Sequence, residues 1–254
     1  MKYALLIGIN YIGTNNELAG CINDVMNVQN MLIEHFGYIK ENITILTDET
    51  DISATRYNIL HQLENIIHIV NENKGELWIH YSGHGSYMID KSNDESDGRD
   101  EMLVPMDFMI TDMISDDELN KIFAKVNIDI NCILVFDCCH SGTIVDLPFC
   151  YIKGLCYNEN KSNLIKSNIL MISGCKDNQT SADTVINNSP SGALTGFLLN
   201  ILKDSNYDIS ITSLCNKLWY ELKHSGYSQY PILSCSKKID LTKYFCHNNQ
   251  LWHL

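Results

Sequence analysis

Cys132-Ile-Leu-Val-Phe-Asp-Cys-Cys-His-Ser-Gly142 decides the fold. Its first residues, through Phe136, form an unbroken apolar run that breaks into an acid, two thiols, an imidazole, a hydroxyl and a glycine. An apolar run without alternation reads as a strand buried on both faces, as in a parallel sheet covered by helices. In open sheets of that kind, chemistry gathers beyond the carboxyl ends of the strands. Glu76-Leu-Trp-Ile-His-Tyr-Ser-Gly-His-Gly85 has the same form. One strand end offers a thiol and the other a histidine between glycines, the parts of a cysteine nucleophile and its base.

Outward from these stretches, residues 3–9 and 43–46 read as further strands. Helical apolar spacing runs from Cys21 to a stop at Gly37, and again from Ser53 to about residue 70. A short strand is expected at 102–105. Ser115-Asp-Asp-Glu118 fits a capping box opening another helix. Strand and helix therefore alternate, which predicts an α/β fold with a mostly parallel central sheet flanked by helices on both faces. Beyond Gly142, residues 146–167 read as a long loop, 168–173 as a fifth strand and 177–191 as a polar loop. Helices are expected at 193–202 and 211–222, and a last strand at 231–235.

The 254 residues are enough for a large core, and 45% of them are hydrophobic. A formal net charge of −13 argues against nucleic acid or an anionic membrane as a partner and favours cationic ligands. No stretch is long and apolar enough to span a bilayer. The opening residues 1–10 lack a small-residue cleavage site, so they read as a buried strand and not as a signal peptide. Without a signal peptide, the 10 cysteines read as reduced thiols in a cytoplasmic protein, and their lack of Cys-x-x-Cys spacing argues against a zinc site.

Tyr81-Ser-Gly-His-Gly85 and Asp137-Cys-Cys-His-Ser-Gly142, in this order and separation, resemble the caspase-like cysteine peptidases. Caspases place the histidine roughly 50 residues ahead of the cysteine. The Gln-Ala-Cys-x-Gly signature of animal caspases is absent, and the acid ahead of the thiols points to the metacaspases. Ile172-Ser-Gly-Cys-Lys-Asp-Asn-Gln-Thr-Ser-Ala182, Gly192-Ala-Leu-Thr195 and Pro231-Ile-Leu-Ser234 resemble further motifs of that family. The resemblance implies a single caspase-like catalytic domain over 1–254, with a larger part (1–145), a connecting loop (146–167) and a smaller part (168–254). It is of the type I-like kind, without a prodomain before the first strand or a long insert between the parts. A monomer is implied.

Both Cys138 and Cys139 are candidate nucleophiles from the residues alone. The family pattern Asp-x-Cys-x-x-Gly selects Cys139. His84 is preferred as base because glycines on both sides let the backbone approach a substrate. His80 lies inside a strand, and His140 follows the thiols directly. No third acid is evident, so the expectation is a dyad, with His84 taking the thiol proton and returning one to the leaving amine. The resemblance places the oxyanion donors at the backbone N–H groups of Gly85 and Cys139. It also lines the pocket for the residue before the cut bond with Cys21, Asp24, Ser82 and Asp137. A carboxylate pair in a slot recognises guanidinium or ammonium, so cleavage after Arg or Lys is expected.

Calcium is the implied cofactor, on Asp100, Asp116, Asp117 and Asp146, with Asp97 an alternative to Asp100. It would act as an activator, shifting the loop that bears Asp146. Lys153, Lys161 and Lys166 are expected sites of self-cleavage. Two other readings stand beside this one. One is a paracaspase-type enzyme that needs no calcium, and the other is a catalytically silent regulatory module.

Overall fold

The computed structural model describes residues 1–89, 99–139, 141–142, 144–152, 155–158, 164–174, 183–186, 189–227 and 230–245. In chain order, the first part contains β1 (Lys2–Gly8), α1 (Cys21–Phe36), β2 (Ile43–Thr47), α2 (Arg56–Asn73) and β3 (Glu76–Ser82). Next come β4 (Gly85–Ile89), β5 (Arg99–Leu103), β6 (Ile114–Ser115), α3 (Asp116–Phe123) and β7 (Asn131–Asp137). The strands β8 (Phe149–Ile152), β9 (Leu155–Asn158), β10 (Asn168–Ser173), β11 (Asp183–Ile186) and β12 (Ser189–Gly192) follow. The elements α4 (Ala193–Asp204), α5 (Ile211–His224) and β13 (Ile232–Cys235) close the order.

An 8-stranded sheet in the order β2-β1-β3-β7-β10-β13-β8-β9 is the frame. Strands β2, β1, β3, β7 and β10 run parallel, while β13, β8 and β9 join antiparallel. Successive side chains on a strand point to opposite faces. Leu134 and Phe136 therefore pack under α2 and α3 with Leu5, Ile79 and Phe123. Ile133 and Val135 pack under α1, α4 and α5 with Leu6, Trp78, Leu194 and Leu218. Both faces of β7 are thus covered, which explains its continuous apolar run.

Local signals set the helix ends. Gly37 caps α1 in the left-handed conformation at φ 71, with its N–H on the Leu32 carbonyl. Both hydrogen bonds of the Ser115–Glu118 capping box are present at α3.

Three expectations need correction. Residues 146–167 contain β8 and β9, a hairpin that adds to the main sheet through β13, and are not one long loop. Periodicity shows little of this hairpin because all of β9 is exposed. Residues 177–191 include β11 and most of β12, a two-stranded ribbon. The strand expected at 102–105 begins earlier, at Arg99, and pairs with β4, which periodicity missed. No helix among the described residues is long and apolar enough to cross a membrane.

Candidate active site

Register brings the two chemical segments side by side. Gly8 lies opposite Ser82 and Ser82 opposite Asp137, so β1, β3 and β7 end at one level. Past that level the chains stay joined: the Gly83 N–H reaches the Asp137 carbonyl at 3.3 Å. Gly85 then lies so close to the Cys139 main chain that a Cβ there would overlap the Cys139 carbonyl oxygen. His84 sits between these two contacts. Only glycine fits at 85, which accounts for one of the two glycines that flank the histidine.

The main chain and ring of His84 are both held. Its N–H donates to the Tyr11 hydroxyl at 2.9 Å, and its carbonyl accepts from the Tyr81 hydroxyl at 2.8 Å and the Val104 N–H at 3.2 Å. Its Nε2 lies 2.8 Å from the Asn16 carbonyl oxygen. A carbonyl can only accept, so Nε2 carries the proton and Nδ1 is the basic nitrogen. Asn16, Tyr11 and Tyr81 were not read from sequence, because their partner atoms are main-chain groups or a phenol whose meeting depends on the fold.

Cys138 is fully buried in the core, whereas Cys139 is partly exposed. His80 is also fully buried, and burial lowers its pKa to about 3, so it stays neutral. His140 lies outside the described residues. Among the described groups of the two segments, the accessible thiol and imidazole are those of Cys139 and His84.

The acids converge on the opposite side of the sheet from Phe136. Asp24 is at 0% and Asp137 at 2% exposure, and Gly192 lies against both. Asp24 accepts from the Ser82 hydroxyl at 2.7 Å, the Ser191 hydroxyl at 2.6 Å and the Gly192 N–H at 2.9 Å. The Thr195 N–H at the start of α4 donates to Asp137 at 2.8 Å. Burial, and then the charge of Asp137, push the Asp24 carboxyl up to about 8. Cys21, one turn before Asp24 on α1, is buried, and its N–H donates to the Asn10 side chain at 3.0 Å. Ser191 and Thr195 are functional candidates that the sequence reading left without a role. Gly192-Ala-Leu-Thr195 was the available signal.

The expected calcium ligands are only partly gathered. Asp116 is buried and accepts from the Glu101 N–H at 2.8 Å and the Asp117 N–H at 2.7 Å. Burial and the nearby Asp146 raise it to about 6. Asp146 adopts a left-handed φ of 52. Asp117 turns to Lys121 at 2.8 Å, one helical turn on. Asp100 lies on β5 opposite Met88, and its neighbour Glu101, buried and hydrogen-bonded to Asp116, was missed. Asp97 lies outside the described residues. Among the described residues, no three His, Cys, Asp or Glu side chains converge as a metal site.

Comparison with known proteins places the chain in a family. Residues 2–148 match the model of the metacaspase peptidase C14 domain. Metacaspase-1B of Neurospora crassa is 34% identical over 293 residues, spanning 95% of this chain and 68% of that protein. Metacaspase-1 of Schizosaccharomyces pombe is 35% identical over 294 residues, spanning 94% and 68%. Among solved structures, a Geobacter sulfurreducens protein superposes with a TM-score of 0.71 at 24% identity, covering 98% of this chain and 99% of its own. Caspase-1 from Spodoptera frugiperda superposes with a TM-score of 0.59 at 11% identity, covering 92% and 85%, so the fold is caspase-like. The chain belongs to the metacaspases and is a cysteine peptidase.

Proposed function

We propose that the enzyme cleaves peptide bonds after Arg or Lys, with Cys139 as nucleophile and His84 as general base. The observation that carries the specificity is the buried pair of Asp24 and Asp137 around Gly192. Two buried carboxylates repel each other and one retains a proton. A guanidinium or ammonium entering between them lets both ionise, and its bidentate or ionic hydrogen bonds replace those of the apo state. Cys139, His84 and Asp137 lie at or just past neighbouring strand tips and Asp24 of α1 hydrogen-bonds to Ser82 at the same level, so a basic side chain held by the acids would present its own carbonyl to the thiol.

In this reading Nδ1 of His84 takes the Cys139 proton and the thiolate attacks the carbonyl carbon. The tetrahedral oxyanion accepts from the N–H groups of Gly85 and Cys139. The His84 proton passes to the leaving amine as the C–N bond breaks, and water then hydrolyses the thioester with His84 again as base.

Asp116 and Asp146 fit a hard divalent ion, since burial and the charge of Asp146 raise the cost of ionising Asp116. Calcium bound there, with Asp100 and Asp117 drawn in, would neutralise the acids and fix the segment bearing Asp146. The Asp117–Lys121 pair, which already gives one of the acids a cation, favours a second reading, activity without calcium.

The test is hydrolysis of Arg-, Lys- and Asp-ended peptide reporters, with calcium and with full chelation. Wild type should cleave the Arg and Lys reporters and spare Asp. Cys139→Ala should be inactive, and Asp24→Asn should lose the basic preference. Preference for the Asp reporter, or turnover by Cys139→Ala, overturns the proposal. Undiminished activity under chelation selects the second reading.

A further inference from the structure

We propose that Tyr11 is a positioning residue for catalysis, holding the His84 main chain so that its imidazole addresses Cys139. This rests on the reading of His84 as the base. Tyr11 is 1% exposed, lies in the turn that follows β1, and adopts a left-handed φ of 53, a conformation that a bulky residue keeps only when its surroundings impose it. That turn sends its side chain back under the histidine segment. The hydroxyl donates to the Val104 carbonyl at 2.7 Å and so presents its lone pairs to the His84 N–H at 2.9 Å. It also lies 3.3 Å from the Tyr81 hydroxyl, which donates to the His84 carbonyl at 2.8 Å.

The two phenols therefore grip both polar groups of one peptide-bearing residue. They leave no space at the residue before it, because a Cβ on Gly83 would come within 2.9 Å of the Tyr81 hydroxyl and 3.1 Å of the Tyr11 hydroxyl. The Tyr11 ring also lies 4.7 Å from the imidazole, tilted by 38°. Burial raises the pKa of the Tyr11 phenol, so its proton stays in place for Val104. The same chain segment supplies the Asn16 carbonyl that fixes the ring tautomer, and Thr14 ties it through its N–H to the Tyr11 carbonyl at 3.1 Å. One turn thus sets both where the histidine is and which nitrogen is basic.

Tyr11→Phe keeps the ring and removes the hydroxyl. Misplacement of a catalytic group by about 1 Å can cost roughly 100-fold, so kcat on an arginyl reporter should fall roughly 10- to 100-fold while KM stays within about twofold of wild type. The rate of Cys139 alkylation by iodoacetamide should lose its wild-type pH profile and approach that of His84→Ala. A thermal melt checks that the variant is folded. Tyr3→Phe, which removes a remote phenol, should leave kcat unchanged. Wild-type kcat and alkylation profile in folded Tyr11→Phe overturn the proposal. If the melt shows Tyr11→Phe unfolded, Tyr81→Phe is measured by the same alkylation profile. A wild-type profile there overturns the two-phenol grip. Full activity in His84→Ala overturns the parent reading, and with it this one.

Discussion

Gly192 is where a single methyl group should matter most. A Cβ there would overlap the Asp137 carboxylate and approach Asp24 to 2.9 Å as well. Gly192→Ala fills the space between the acids. Overpacking costs about 1–3 kcal/mol, so KM for an arginyl reporter should rise roughly 5- to 150-fold. Steady-state kinetics with a melt control checks this. Asp24 carries a second prediction. Its folded pKa of about 8 lies above the ordinary value of 3.8, so between these values the folded chain holds a proton that the unfolded chain has lost. Stability from this group is therefore greatest below about pH 4 and declines as pH rises toward 8. Urea midpoints at pH 5 and pH 8 should differ less in Asp24→Asn than in wild type, and equal slopes would contradict the assignment. Asp137, His84 and Cys139 stood out as candidates because each lies where an apolar run breaks into polar residues, whereas Asp24 was singled out only through the family resemblance. Tyr11, Asn16 and Glu101 were not, because a tyrosine next to a strand, an asparagine in a turn and one more acid in an acidic segment look ordinary until folding gives them neighbours.

Among the elements, α3 is the one whose start was most plainly written. The Ser115 hydroxyl accepts the Glu118 N–H at 3.2 Å, and the Glu118 carboxylate accepts the Ser115 N–H at 3.3 Å. Glu118 also meets Arg56 of α2, fastening the two helices of one layer. Ser115→Ala should cost about 1 kcal/mol, read from urea denaturation. Because Asp116 is the first residue of α3, the same variant should weaken any activation by calcium. The hairpin β8–β9 was illegible for the opposite reason. Leu155, Cys156, Tyr157 and Asn158 are all exposed, so no burial pattern marks them as a strand. They pair with β8, and β8 in turn pairs with β13, which lies far along the chain.

At the scale of the molecule, β7 holds the two helix layers on a common spine. Leu134 is fully buried on one face and Val135 on the other. Leu134→Ala should destabilise by about 2–5 kcal/mol in denaturant titrations, with any loss of activity following the loss of folded protein. The parallel half of the sheet was readable from alternating strand and helix. The order of its antiparallel half was not, since nothing local says that β13 inserts between β10 and β8. That insertion has a consequence for a chain clipped after exposed Lys166. The later piece contributes β10 and β13, which lie clasped between β7 and β8 of the earlier piece. A clipped chain is then a tenon still seated in its mortise. The halves should co-elute from a sizing column in native buffer and separate only in denaturant.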